Sequence, residues 1–152
     1  MIEFFVPGLP ITQGSKRAFI NKYTGRAQMI EDNVKLKPWR WTVGVTAAMA
    51  MAKRPHIKGP VRIRLQFLFP RPKSHYGTGR NYDKLKDKAP AVPTGKPDLD
   101  KLQRAVFDAL THVVWTDDAQ VTEVFAMKRY NQEPGVLVAI ECDQTGFEEG
   151  DE

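Results

Sequence analysis

The sequence of 152 residues predicts a single α/β (α+β) domain with a mixed, largely antiparallel sheet and two main helices. A chain of this length usually forms one domain, and its hydrophobic content of 41% is enough for a core. Residues 61–69 alternate between apolar and polar side chains, which is typical of a strand with one buried face. Apolar residues at helical spacing occur on both sides of this strand, so helices and strands are mixed along the chain.

The N-terminal residues are predicted to form strands. Residues 2–6 have the composition of a first strand, which the following prolines and glycine end. Residues 18–21 and 27–30 flank a polar turn, and this pattern predicts a small hairpin.

A first helix is predicted from Pro38 to about Ala52. Proline suits the first turn of a helix, and the apolar pattern continues from there through several alanines and methionines. Lys53 and Arg54 are predicted to form a basic last turn, which the helix dipole favours.

A long irregular segment is predicted over residues 70–97, which hold five prolines and show no sustained periodicity. The segment is strongly basic, because seven Lys or Arg residues against two Asp residues give it a net charge of 7 − 2 = +5. Long loops in compact domains are usually functional or disordered, so its charge predicts a binding role.

The C-terminal part is predicted to contain a second helix and two strands. The helix begins after Pro97, and its apolar residues recur at helical spacing as far as Val113. Residues 121–130 and 136–142 have the composition of strands joined by a polar turn, and together they predict an antiparallel hairpin. The domain is therefore expected to span residues 1–142, followed by an acidic tail at 143–152.

Composition excludes several classes of protein. The single cysteine cannot form a disulfide within the chain or a cysteine zinc site, and no apolar run approaches the ~20 residues of a membrane span. No complete phosphate-loop pattern is present, so no nucleotide cofactor is expected. We expect a soluble, cytoplasmic protein. The net charge of +5, which rises to 23 − 13 = +10 without the acidic tail, favours a polyanionic partner such as DNA.

Four aspartates and an arginine form the candidate chemical group. Asp98 and Asp100 stand at the predicted start of the second helix, and Arg104 lies four residues after Asp100 on the same helical face. Asp117 and Asp118 precede the next strand, and the short connection from the helix is expected to return one of them towards the helix start. Carboxylates without His or Cys suit a hard cation such as Mg²⁺ or Mn²⁺. Helix capping and an ordinary turn are the alternative explanations.

The stretch D-L-D-K-L-Q-R-A-V-F-D-A-L, followed by W-T-D-D-A-Q-V, resembles the RusA family of Holliday junction resolvases. The early P-G-L-P segment and the P-R-P-K-S-H-Y-G-T-G loop are similar to longer bacterial and prophage members. The resemblance implies a RusA-like fold and a homodimeric endonuclease of recombination and repair. Such an enzyme resolves four-way DNA junctions by paired symmetric nicks with Mg²⁺, for which Mn²⁺ can substitute.

The resemblance also assigns residues. It implies catalytic, metal-binding roles for Asp98, Asp100 and Asp118, with each subunit holding its own acidic site. The family commonly has lysine at the position of Arg104 and asparagine at that of Lys101. We expect Arg104 to take the catalytic role of that lysine, although Lys101 is an alternative. The cations expected to bind DNA are Lys16, Arg17, Arg71, Lys73, Arg80, Lys96 and Lys101.

Two other functions remain open from the sequence. The first is a branched-DNA binding protein without catalysis, in which the aspartates only cap a helix. The second is a less selective nuclease that acts on flaps or forks.

Overall fold

The computed structural model describes residues 1–14, 16–31 and 34–143, with backbone only at 16–19 and 28–31. It confirms the predicted α+β class, with two helices and a four-stranded mixed sheet. The elements are β1 (Ile2–Pro7), β2 (Lys16–Ile20), β3 (Ala27–Glu31), α1 (Leu36–Met51), β4 (Val61–Phe69), α2 (Leu99–Leu110), β5 (Val121–Tyr130) and β6 (Gly135–Cys142).

The main sheet has the strand order β1-β6-β4-β5. β4 is central, because it pairs antiparallel with β6 on one side and parallel with β5 on the other. The predicted hairpin of β5 and β6 is therefore wrong. The four residues between these strands cross the end of β4, where the backbone N–H of Asn131 donates to the carbonyl of Phe69 (2.8 Å). β2 and β3 form the predicted separate hairpin.

One face of the sheet is covered by the two helices. β4 directs Val61, Ile63, Leu65 and Phe67 towards them, and all four side chains are buried. Each helix contributes one buried stripe, made of Trp39, Val43, Ala47 and Met51 in α1, and of Leu102, Ala105, Val106 and Leu110 in α2. The alternation in the sequence of β4 thus reports the burial of one face, as predicted.

The end of α1 differs from the prediction. The helix ends at Met51, and the next two residues, Ala52 and Lys53, have left-handed φ angles of 49° and 64°. The backbone N–H of Arg54 donates back to the Met51 carbonyl (2.9 Å), which closes this turn. The two cations therefore lie beyond the helix and do not form its last turn.

β4, α2 and β5 form a β-α-β unit that determines the position of the candidate site. Because β4 and β5 are parallel, the chain must return to the start of the sheet between them, and α2 makes this return. α2 ends at Leu110 rather than near Val113, since residues 111–115 form a closed turn. None of the helices in the described ranges has the length and apolar character that a membrane span requires.

Candidate active site

Asp98 and Asp100 lie where α2 begins. Asp98 is the N-cap residue with extended backbone, yet its side chain makes no capping hydrogen bond to the helix. Its carboxylate lies 3.7 Å from the ammonium of Lys101, and both side chains are about half exposed. Asp100 is exposed in the first helical turn. Simple capping therefore does not account for the Asp98 side chain, which leaves its carboxylate available to a ligand.

The segment that leads to Asp98 is held by a lysine of β5. The ammonium of Lys128 donates to the backbone carbonyls of Gly95 (2.8 Å) and Pro97 (3.0 Å). Lys128 pairs with Phe67 in the sheet, on the face that the helices cover. We call residues 95–100 together with Lys128 the Asp98 end of the β-α-β unit. The C-terminal half of β5 thus fixes where α2 starts.

Asp117 and Asp118 have different surroundings. The carboxylate of Asp117 accepts from the backbone N–H of Ala119 (2.9 Å) and caps a short 3₁₀ helix, Asp118–Gln120. Asp118 is exposed, and within the described ranges its side chain has no hydrogen bond or ion pair. Of the two candidates left open by the sequence, Asp117 has a structural task and Asp118 is the one available to a ligand.

Gln120 ties this turn to the start of β4. Its side-chain carbonyl accepts from the backbone N–H groups of Thr116 (3.0 Å) and Asp117 (3.1 Å). Its amide nitrogen donates to the carbonyls of Ile57 (2.7 Å) and Gly59 (3.0 Å). We call residues 111–120 and their contacts at Ile57 and Gly59 the Asp118 end. Both donors and both acceptor positions of one amide are used here.

The two ends are far apart within one chain. Val121 pairs with Val61 and Lys128 with Phe67, so the two anchoring points are separated by about 20 Å along β4. α2 spans the same interval, since its 12 residues extend about 18 Å. The expected return of Asp118 towards the helix start is therefore wrong. The chain after α2 stays at the far end of the helix because Val114 N–H donates to the Leu110 carbonyl (2.9 Å) and Trp115 is buried.

The chemistry of the carboxylates suits a hard cation, but one chain does not assemble them. Across residues 1–14, 16–31 and 34–143, no three His, Cys, Asp or Glu side chains converge in a group that could hold a metal ion. Asp98 and Asp100 are oxygen donors of the kind that Mg²⁺ prefers, and Asp118 would have to come from another chain to join them.

Arg104 and Lys101 have distinct positions on α2. Arg104 is exposed, and no carboxylate of the described part of the chain forms an ion pair with it. Lys101 pairs with Asp98, as described above, and its carbonyl accepts from the backbone N–H of Gln13 (3.1 Å). The Gly8–Gln13 region thus packs against the first turn of α2.

The basic loop 70–97 is closed at its base by Arg71. The guanidinium donates to the Pro90 carbonyl (2.8 Å) and lies 4.4 Å above the ring of Tyr130. His75 contacts the edge of the same ring, with ring centroids 5.4 Å apart. Arg71, which we predicted to bind DNA, therefore has a structural role that the sequence did not indicate.

The rest of the loop presents its cations to solvent. Residues 73–75 and 79–81 form short 3₁₀ helices, and backbone bonds such as Lys86 N–H to the His75 carbonyl (2.8 Å) tie them together. The exposed cations are Lys73, Arg80, Lys84, Lys86, Lys88 and Lys96. Lys16 and Arg17 begin β2, but their side chains lie outside the described part of the structure.

Lys128 and Gln120 were missed by sequence reasoning, although Lys128 left a signal. It occupies the face of β5 that also carries Val124, Ala126 and Tyr130, and a lysine on a helix-covered face needs a partner. The Asp-x-x-Gln spacing of Asp117 and Gln120 is that of a capping box and was visible in the sequence, whereas the two bonds of Gln120 to Ile57 and Gly59 join segments about 60 residues apart and gave no signal.

Comparison with known proteins identifies the family. Residues 7–141 match the family described as Endodeoxyribonuclease RusA. The chain is also 36% identical over 141 residues to the uncharacterized protein YqaN of Bacillus subtilis (strain 168), which covers 91% of this chain and 94% of that protein. The family match includes α2, the Asp118 end and the strands β4 and β5. The chain belongs to the RusA family of endodeoxyribonucleases.

Proposed function

We propose that this protein is a metal-dependent endonuclease that resolves four-way DNA junctions as a homodimer. Membership of an endodeoxyribonuclease family supports hydrolysis of DNA. The observation that carries the site assignment is that the side chains of Asp98 and Asp118 are not used to cap the helices they begin. Exposed carboxylates without a capping role, on a basic protein, are suited to a metal ion and a phosphate.

The active site in this proposal is composite. One chain supplies Asp98 and Asp100, and the partner chain supplies Asp118. This arrangement is supported by the separation of about 20 Å between the two anchoring points in one chain. A twofold dimer would contain two such sites, and two sites related by symmetry can cut two opposed strands of a symmetric junction. The expectation that each subunit holds a complete site is replaced by this one.

Each group then has a defined task. A Mg²⁺ or Mn²⁺ ion bound by these carboxylates would supply a water of lowered pKa and neutralise charge on the scissile phosphate. Arg104 places a fixed positive charge one turn beyond Asp100, where it can bind a phosphate oxygen. The exposed cations of loop 70–97 attract the DNA backbone by releasing its counterions.

The test is cleavage of a synthetic four-way junction by the full chain, with Mg²⁺ or Mn²⁺ supplied or chelated. Asp100→Asn should reduce nicking at least ~100-fold while junction binding is retained, because the carboxylate acts on the metal and not on DNA affinity. Asp87→Asn is the matched control, since it removes the same charge from an exposed position in the basic loop.

Other outcomes separate the alternatives. Junction binding without nicking in either metal would show a non-catalytic branched-DNA binding protein. Equal rates on junction, flap and linear duplex would show a nuclease without junction selectivity. Unchanged nicking by Asp98→Asn, Asp100→Asn and Asp118→Asn would overturn the assignment of the site.

A further inference from the structure

β5 leaves one edge of the main sheet open. β5 is the last strand in the order β1-β6-β4-β5, and no described strand pairs with its edge that faces away from β4. Four consecutive residues, Thr122–Phe125, are exposed, and they include the large apolar side chains of Val124 (41% exposed) and Phe125 (55%). A long strand without proline or glycine presents unpaired backbone groups in this position, which is a template for another strand.

The opposite edge of the sheet is protected. β1 is six residues long, carries the exposed Glu3 and ends at Pro7. Charge, short length and proline are the features by which proteins prevent pairing at a sheet edge. β5 also carries charged residues, including the exposed Glu123 and Arg129, so the two edges differ in length and in proline, and β5 is the edge that is long enough to pair with another strand.

We propose that the β5 strands of two copies of this chain pair antiparallel about a twofold axis near Val124, joining the two sheets into one. Such an axis places each Val121 opposite the partner's Met127, and each Gln120 opposite the partner's Lys128. Adjacent strands lie about 4.8 Å apart, so the Asp118 end of one chain then lies beside the partner's Asp98 end. This inference rests on the composite site proposed above, and it identifies the β5 edge as the surface through which two chains would form that site.

Charge at the same edge is complementary under this symmetry. In each chain the Arg64 guanidinium lies 5.5 Å from the centre of the Phe125 ring. Glu123 would lie opposite the partner's Phe125, and hence within reach of the partner's Arg64. Neither Arg64 nor Glu123 has an ion pair inside the described portion of one chain. By symmetry, the dimer would contain the ion pair between Glu123 and the partner's Arg64 twice.

A second exposed apolar set lies on α1, where Trp41 is 71% and Met49 is 75% exposed. A twofold axis at this surface would not join the two halves of the site. α1 packs on β1 and α2, whereas β5 lies beyond α2 at the other side of the sheet. Pairing through α1 would therefore place the two β5 strands on the outside of the dimer.

Cysteine cross-linking tests the β5 edge in the full chain. The native Cys142 is first replaced by serine, and Val124→Cys is introduced in that background. Facing residues of an antiparallel pair have Cβ atoms about 5 Å apart, so a short bis-maleimide should link two chains about tenfold more efficiently than at control positions. The controls are Glu3→Cys on the protected edge and Met49→Cys on α1, both exposed. Circular dichroism and the melting temperature verify that each variant is folded.

The inference is overturned if Val124→Cys links no better than Glu3→Cys, if Met49→Cys links better, or if sedimentation of the native chain gives the mass of one chain. These outcomes are independent of catalysis. Efficient linkage at Val124 in a protein without nuclease activity would support the β5 edge and reject the proposed function. Junction cleavage by a protein that links better at Met49 would support the proposed function and reject the β5 edge.

Discussion

The Asp98 end and the Asp118 end of the β-α-β unit hold their carboxylates by different means. At the Asp118 end a neutral amide, Gln120, uses all its hydrogen-bonding positions on four backbone groups. At the Asp98 end the ammonium of Lys128 makes two bonds to backbone carbonyls and brings a positive charge to the segment before α2. The Asp118 end is held by four hydrogen bonds of one amide, and the Asp98 end by two hydrogen bonds of one lysine side chain.

The two ends of the proposed site therefore have different requirements, which are compensation of charge at the Asp98 end and a fixed backbone at the Asp118 end. Asp98 and Asp100 repel each other, and the nearby charges of Lys101 and Lys128 reduce the cost of that repulsion. Asp118 makes no ion pair within the described part of its chain, and the network of Gln120 fixes the backbone beside it. We therefore expect substitution of the anchoring residue Gln120 to act mainly on stability, and substitution of the anchoring residue Lys128 to act mainly on catalysis.

The largest effect is expected from mixing two inactive variants. In a mixed dimer of Asp100→Asn and Asp118→Asn, one composite site carries both substitutions and the other carries neither. Co-expression with two affinity tags isolates this dimer. Its nicking rate should be about half that of the native dimer, against an almost complete loss in each variant alone. The junction should be cut in one strand per binding event rather than two.

A second pairing serves as the control for this experiment. Mixed dimers of Asp98→Asn and Asp100→Asn have a damaged carboxylate in both sites and should stay inactive. Restored nicking in this control, or none with Asp118→Asn, would contradict a site shared between chains.

Gln120→Ala should have the largest effect on stability. It removes four hydrogen bonds, two within the turn and two to the segment before β4, and we expect a loss of about 2–3 kcal/mol in the free energy of unfolding. Denaturant unfolding measures it, with the exposed Gln132→Ala as the matched control. Gln120→Glu keeps the acceptors for Thr116 and Asp117 but loses the donors to Ile57 and Gly59, so its effect should be intermediate. Equal stability of Gln120→Ala and Gln132→Ala would show that this network does not hold the turn.

Local patterns predicted most elements but not how the strands are arranged. The alternation over 61–69 is a direct consequence of one buried face, so β4 was predicted with its observed bounds. The four-residue turn after β5 is compatible with a hairpin, and nothing in its composition shows that β4 lies between the two strands. Strand order depends on distant pairings, which short-range periodicity does not encode.

The prediction of the candidate site from the sequence was limited in the same way, because the site depends on how the strands are arranged. Asp98, Asp100 and Asp118 were selected by spacing and resemblance, and the structure places them at opposite ends of α2. The direction of α2 follows from the parallel pairing of β4 and β5, which was not predicted. Lys128 was overlooked because its partners are backbone carbonyls some 30 residues earlier in the chain.

Lys128→Met should lower catalysis more than stability. The substitution keeps most of the side-chain length but removes the bonds to Gly95 and Pro97, which releases the segment that positions Asp98. We expect a fall of about tenfold in nicking rate and a loss of about 1 kcal/mol in stability. Arg129→Met, which removes the neighbouring exposed cation, is the control. The contrast between the two ends would be broken if Lys128→Met destabilised the protein more than Gln120→Ala while leaving the nicking rate unchanged.

The smallest effect is expected from Arg104→Lys at the Asp98 end. Both side chains carry the positive charge, and arginine differs mainly in its planar, two-pronged contact with phosphate. If the charge is the main contribution, Arg104→Lys should change the nicking rate by no more than about threefold, whereas Arg104→Met should lower it about tenfold. Lys101→Met removes the other exposed cation of this helical turn and serves as the comparison. A greater loss for Lys101→Met than for Arg104→Met, at equal junction affinity, would transfer the catalytic role to Lys101. That result would also place the active cation beside Asp98 itself, in the pair that the structure already shows at 3.7 Å.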